Sequence, residues 1–144
     1  MYWCSLLILL APLGMANGVG PEDAAKKELQ QFQGPWKAVS IQHADGRQAS
    51  EDEVQNTRLV IQENKFTLTG KDYTVSGTFS VDPTQTPKAI DVLLTSKEGR
   101  ETKFLGIYQT RADTRKSNFA LPGKERPTQF SSEKGYFGFE WKRN

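Results

Sequence analysis

The chain has 144 residues, room for one domain and not for two. Its 19 basic and 17 acidic residues interleave to a net charge of +2, which argues against a nucleic-acid face or an anionic membrane as the main partner. Aromatic residues make up 10%, too many for a disordered chain, so the composition is that of a globular domain.

Residues 1–20 carry no charged side chain. Within them the apolar run 6–13 is followed by small residues at Gly14, Ala16 and Gly18. That order is the h-region and cleavage region of a secretory signal peptide, cut after Ala16 or after Gly18. Positions 1–18 are therefore read as a signal peptide and 19–144 as the mature domain. The usual Lys or Arg ahead of the h-region is missing, which leaves the α-amino group as the only positive charge there. The run is well short of the roughly 20 residues a spanning helix needs, so no integral membrane span is expected. Export to the periplasm or the extracellular space is the expectation.

Cys4 is the single cysteine and precedes the h-region, whereas a lipid-anchor cysteine would follow it. The mature chain then has no thiol for a disulfide or for catalysis. Its core must hold the fold unaided, and about 125 residues suffice for that.

Pro21 to Phe32 reads as a short helix, with Pro in the first turn and Glu22 and Asp23 at the positive end of the dipole. Ala25, Leu29 and Phe32 share a face, a stripe too narrow to be a core of its own. Gly34-Pro35 ends the helix. From Trp36 the apolar period becomes two. Strands are predicted at 36–42, 58–62, 65–69, 73–81, 89–94, 102–109, 114–120 and 136–142. Ser50-Glu51-Asp52-Glu53 is a capping-box pattern that opens a turn or two of helix before the second of these.

Eight short strands with turn signals between neighbours favour an antiparallel sandwich or barrel over any βαβ fold. Gly77, Gly106 and Gly138 fall inside strand patterns. Glycine there weakens a strand but lets a sheet bend sharply, which favours a closed all-β barrel of about eight strands.

The helix running into Gly34-Pro35-Trp36 fits the G-x-W signature of lipocalin-like barrels, and Arg143 follows the last strand where such barrels set a basic residue against that tryptophan. A cation over an indole face, its stem packed on the ring, would seal one barrel end, so Gly34, Trp36 and Arg143 are the expected closure. Across nearly the whole mature chain the sequence resembles a small lipocalin-like domain family of unknown function that is expanded in planctomycete bacteria. The segments that carry the resemblance include Leu29-Gln30-Gln31-Phe32-Gln33-Gly34-Pro35-Trp36-Lys37, Asn64-Lys65-Phe66-Thr67-Leu68 and Leu105-Gly106-Ile107-Tyr108. Pro87-Lys88-Ala89-Ile90-Asp91 and Pro122-Gly123-Lys124-Glu125-Arg126-Pro127-Thr128 belong to it as well. The resemblance implies a lipocalin-like fold, often exported, with no assigned activity. The chain departs from the family at Arg115-Lys116-Ser117-Asn118, where the family strand is apolar ahead of its terminal Phe-Ala.

No residue pattern points to catalysis. His43 is the only histidine, has no cysteine near it, and precedes the Asp45-Gly46 turn, so it reads as a surface residue. Glu51-Asp52-Glu53 reads as a helix start rather than a metal site. Ser131-Ser132-Glu133-Lys134 matches S-x-x-K without the companion motifs of serine acyltransferases and reads as a turn. No glycine-rich phosphate loop is present. The chain is expected to be no enzyme, with no cofactor and no metal.

Phe66, Phe79, Phe104, Tyr108, Phe137 and Phe139 fall on alternating positions of successive strands and are the candidate interior. They line a pocket for one small hydrophobic molecule, or they fill the barrel and leave none; an eight-stranded barrel permits both. A binding protein carrying such a ligand is the first reading. A protein-interaction or structural domain of the cell envelope is the alternative, with Arg126 beside Pro127 and the charged stretch 111–116 as its surface. Read structurally, those two segments are a solvated loop and a solvated edge strand.

Overall fold

The computed structural model describes residues 20–144, so the expected signal peptide and Cys4 lie outside the described residues. In chain order the elements are α1 (Pro21–Phe32), β1 (Gly34–Gln42), α2 (Glu51–Gln55), β2 (Arg58–Gln62), β3 (Lys65–Thr69), β4 (Thr74–Asp82), β5 (Lys88–Thr95), β6 (Glu101–Arg111), β7 (Thr114–Ala120) and β8 (Tyr136–Arg143). Each strand pairs antiparallel with the next, and β8 returns to β1 to close an eight-stranded barrel. The expected helix and all eight strands are present, most of them within a residue or two of the predicted bounds.

Period-two patterning divides the wall into an inner and an outer face. Phe66 and Leu68 of β3, Val75 and Phe79 of β4, and Phe137 and Phe139 of β8 face the interior. Residues of the opposite parity around the wall, among them Lys65, Lys116 and Lys142, are exposed. The outer wall is thus wet and charged, the opposite of a lipid-facing barrel surface.

The strand glycines sit where the wall comes closest to itself. A Cβ on Gly106 would overlap the Phe119 ring and stand 2.7 Å from the Asn118 carbonyl oxygen, and one on Gly77 would overlap the Leu93 carbonyl. Only the absence of a side chain allows the approach that closure at this strand number needs.

Two local devices frame the wall. Ser50 Oγ accepts a hydrogen bond from the Glu53 amide at 3.2 Å and caps α2. The loop 121–135 lies against the outside of β5 to β8 and is anchored there. Asn118 Nδ2 donates to the Ser131 carbonyl at 3.1 Å. Arg126 donates to the Ile90 carbonyl at 3.1 Å, the Gly106 carbonyl at 2.8 Å and the Asp91 carboxylate at 2.6 Å. The solvated-loop reading of Arg126 is corrected accordingly: its guanidinium is a clamp on the β5–β6 seam. The edge-strand reading of 114–116 falls too, because a closed barrel has no edge.

Helix α1 lies over one end of the barrel. Its Phe32 is fully buried, stacked on Phe79 at 5.7 Å and edge-on to Tyr108 at 5.1 Å between ring centroids. The stripe too narrow to be a core of its own supplies, through Phe32, the plug of the barrel. Trp36 Nε1 donates to the Phe32 carbonyl at 2.8 Å, and the Arg143 guanidinium sits 4.5 Å from the Trp36 ring. Arg143 also donates to the Gln33 carbonyl at 2.8 Å and to the Gln31 carbonyl, satisfying acceptors at the helix end.

Candidate functional site: a half-filled barrel interior

The interior is filled at the α1 end and unfilled above it. Beneath the helix, Phe32, Trp36, Tyr108 and Trp141 are all buried. Tyr108 points into the barrel, as expected, but its ring packs on Phe32 and its hydroxyl donates to the Glu28 carboxylate at 3.0 Å. The same carboxylate accepts from Lys88 Nζ at 2.8 Å. Burial, and then the hydrogen bond to Glu28, push the Tyr108 phenol up, so it stays protonated and donates. Tyr108 belongs to the seal and does not line the open space, which corrects its place among the ligand-facing candidates.

Above this layer lies a cavity of about 240 Å³. Phe66, Phe79, Phe104, Phe137 and Phe139 all line it, five of the six aromatic residues proposed from alternation. Leu68, Val75 and Leu94 extend the apolar wall, and Phe32 contributes to its floor. On β8 the rings form a ladder: Phe137 meets Phe104 edge-on at 5.4 Å, and Phe139 stacks on Trp141 at 5.1 Å. Phe66, Leu68, Phe104 and Phe137 are only half-buried. The mouth is therefore at the end away from α1.

The volume decides what this space can hold. It exceeds the roughly 150 Å³ of an apolar cavity that takes benzene, and it falls below the roughly 300–1,000 Å³ of pockets for drug-sized ligands. A molecule of one or two rings, or a medium-length chain, fits.

One charged side chain lines the cavity among the described residues: Arg115 of β7. It is 5% exposed, and its guanidinium carbon lies 4.4 Å from the Phe32 ring and 4.9 Å from the Trp36 ring. Its Nη1 is buried with no hydrogen-bond partner. The ion pairs among the described residues lie elsewhere, so no carboxylate neutralises it. Burial, and after it the charge of Arg143, lower its pKa to about 9, which still leaves it a cation at neutral pH. Cation–π contacts return roughly 2 kcal/mol each when desolvated, against several kcal/mol for burying an unpaired ion. The guanidinium is under-compensated.

Sequence reasoning missed Arg115 because a basic residue in a weak strand resembles a solvent-facing one. The signal was nonetheless there: Arg115, Ser117 and Phe119 share a parity, and Phe119 had to be inside. Gly34, with φ +103°, and Trp36 and Arg143 sit together at the sealed end, away from the cavity.

The remaining candidates are accounted for by structure. His43 Nε2 lies 2.9 Å from the Glu53 carboxylate. Ser131 Oγ accepts from the Glu133 amide at 3.1 Å, a turn as read. Among the described residues no three His, Cys, Asp or Glu side chains gather as a metal site, and no helix is long and apolar enough to cross a membrane. Comparison with models of known families, with characterised proteins and with solved structures found no significant match.

Proposed function

We propose that the protein is an exported, non-enzymatic binding protein of the lipocalin-like kind, carrying one small hydrophobic molecule inside its barrel. The observation that carries this reading is the apolar cavity of about 240 Å³, sealed by α1 at one end and rimmed by half-buried rings at the other. An interior meant only for stability would be closed along its length, because an unfilled space costs packing energy in proportion to its volume. Here the rings that would fill it stand around it. The charged outer wall is what a barrel free in an aqueous compartment needs.

The test is native mass spectrometry of the mature protein from its own host, before and after organic extraction. It is followed by titration with the neutral two-ring fluorophore 1-aminonaphthalene. A reproducible extra mass removed by extraction, and saturable fluorescence enhancement at one site per chain, are expected. A bare mass and no enhancement would overturn the carrier reading in favour of an interaction or structural domain. The same mass spectrum reads the mature N-terminus, expected at residue 17 or 19.

A further inference from the structure

The floor of the cavity differs in chemistry from its walls. Apart from Ser117 the rest of the lining is hydrocarbon or aromatic, while at the bottom Arg115 holds a buried guanidinium whose Nη1 has no partner. Polar groups in protein interiors are almost always paired, so an orphaned charged donor at the end of an apolar cavity marks the place of an absent acceptor. Building on the carrier reading, we infer that the ligand is a monoanionic amphiphile, a carboxylate that enters head-first, pairs with Arg115 and leaves its apolar tail along the aromatic wall toward the mouth.

Three features define that ligand. The planar fork of a guanidinium matches a carboxylate in bidentate geometry, which an ammonium would not. The Ser117 hydroxyl, on the same face of β7 two residues on, is buried in the cavity wall and offers a second donor. The next cation, Arg143, lies over Trp36 and is already engaged by the Gln31 and Gln33 carbonyls, so the floor presents one free charge, not two. A single negative charge is matched, and a dianionic phosphate monoester is not.

A purely structural role for Arg115, as a cation resting on Phe32 and Trp36, predicts no preference for an anion. The two readings separate on one pair of molecules of equal chain length, octanoate and 1-octanol. Each would be titrated into the delipidated mature protein and read by isothermal titration calorimetry, with displacement of the two-ring fluorophore 1-aminonaphthalene as a second readout. Octanoate is expected to bind at least tenfold more tightly than octanol, and Arg115→Met to bring the ratio of the two affinities to about one. Octanol binding as well as or better than octanoate in the wild-type protein would overturn the anion assignment while leaving the carrier reading intact. Failure of the fluorophore and both alkyl probes to bind would overturn the carrier reading and the assignment with it. Should Arg115→Met not fold, the wild-type ratio decides alone, and Arg115→Lys, which keeps the charge without the fork, is expected to give an intermediate ratio.

Discussion

The two ends of this barrel are built from the same residue types and come out differently. At the α1 end the aromatic rings meet one another and a helix: Phe32, Trp36 and Tyr108 are among the most buried side chains of the described residues, and their polar atoms have partners. At the mouth Phe104 and Phe137 face the same interior, but among the described residues no element crosses above them. Aromatic content alone thus distinguishes neither core from pocket. The difference lies in whether a second element arrives to fill the gap, which for an eight-stranded wall is a choice the sheet leaves open.

The largest effect is expected at the sealed end. Trp36→Ala removes the ring on which Arg143 and Arg115 rest and the donor to the Phe32 carbonyl, and should cost about 3–5 kcal/mol. In a thermal melt that corresponds to a fall of roughly 10–20 °C. An unmoved melting temperature would sink the model of a structural seal.

Phe104→Ala sharpens the contrast from the other side. This ring is only partly buried, so the stability loss should be about 1–2 kcal/mol. Affinity for an apolar probe should change more visibly, since the ring is part of the cavity wall. If Phe104→Ala destabilised as much as Trp36→Ala without touching binding, the two ends would not be functionally distinct.

The smallest effect is a pH slope. Arg115 has a folded-state pKa of about 9 against an ordinary value of 12.5. Between those values the native state binds fewer protons than the unfolded one, so the destabilisation due to this group is full below about pH 9 and is lifted as pH rises. From pH 8 to pH 10 the wild-type protein should gain about 1 kcal/mol relative to Arg115→Met, read as the change in the difference between their urea midpoints. Tyr108 and Arg143, the other titratable groups that bear on it, are common to both proteins and cancel in the comparison. Parallel slopes would mean that Arg115 keeps its proton throughout and is better hydrated than its burial implies.

How much of this was legible in the chain varied with the length scale of the signal. Strict alternation in segments such as Thr74–Asp82 announced strands and their faces, and so gave five of the cavity rings from sequence. The G-x-W segment and Arg143 pointed to a seal at the correct end because the two come together through a simple closing of the barrel. What stayed hidden depended on contacts between elements far apart in sequence. Phe32 looked peripheral on its helix because nothing local says that α1 docks over the sealed end of a barrel. Tyr108 shared the parity of Phe104, but only the position of Glu28 places it in the seal rather than in the cavity. Arg115 was hidden by residue type: charge argued for solvent while parity argued for the interior, and parity won.

Of the eight strand pairings, seven join neighbours in sequence and one joins β1 to β8. That last seam is also where Arg143 reaches the end of α1 and where the Asn144 amide bonds the Pro35 carbonyl at 3.2 Å. The consequence is an order of events. A chain emerging from its N-terminal side can curl seven strands into a ribbon through local connections, five of them no longer than five residues and the first carrying α2, each closed at modest entropic cost. It cannot shut the cylinder or fix the lid until β8 has been delivered. The floor of the cavity is therefore completed in a single late step, in which the wall is closed and the α1 end is sealed by the same few residues.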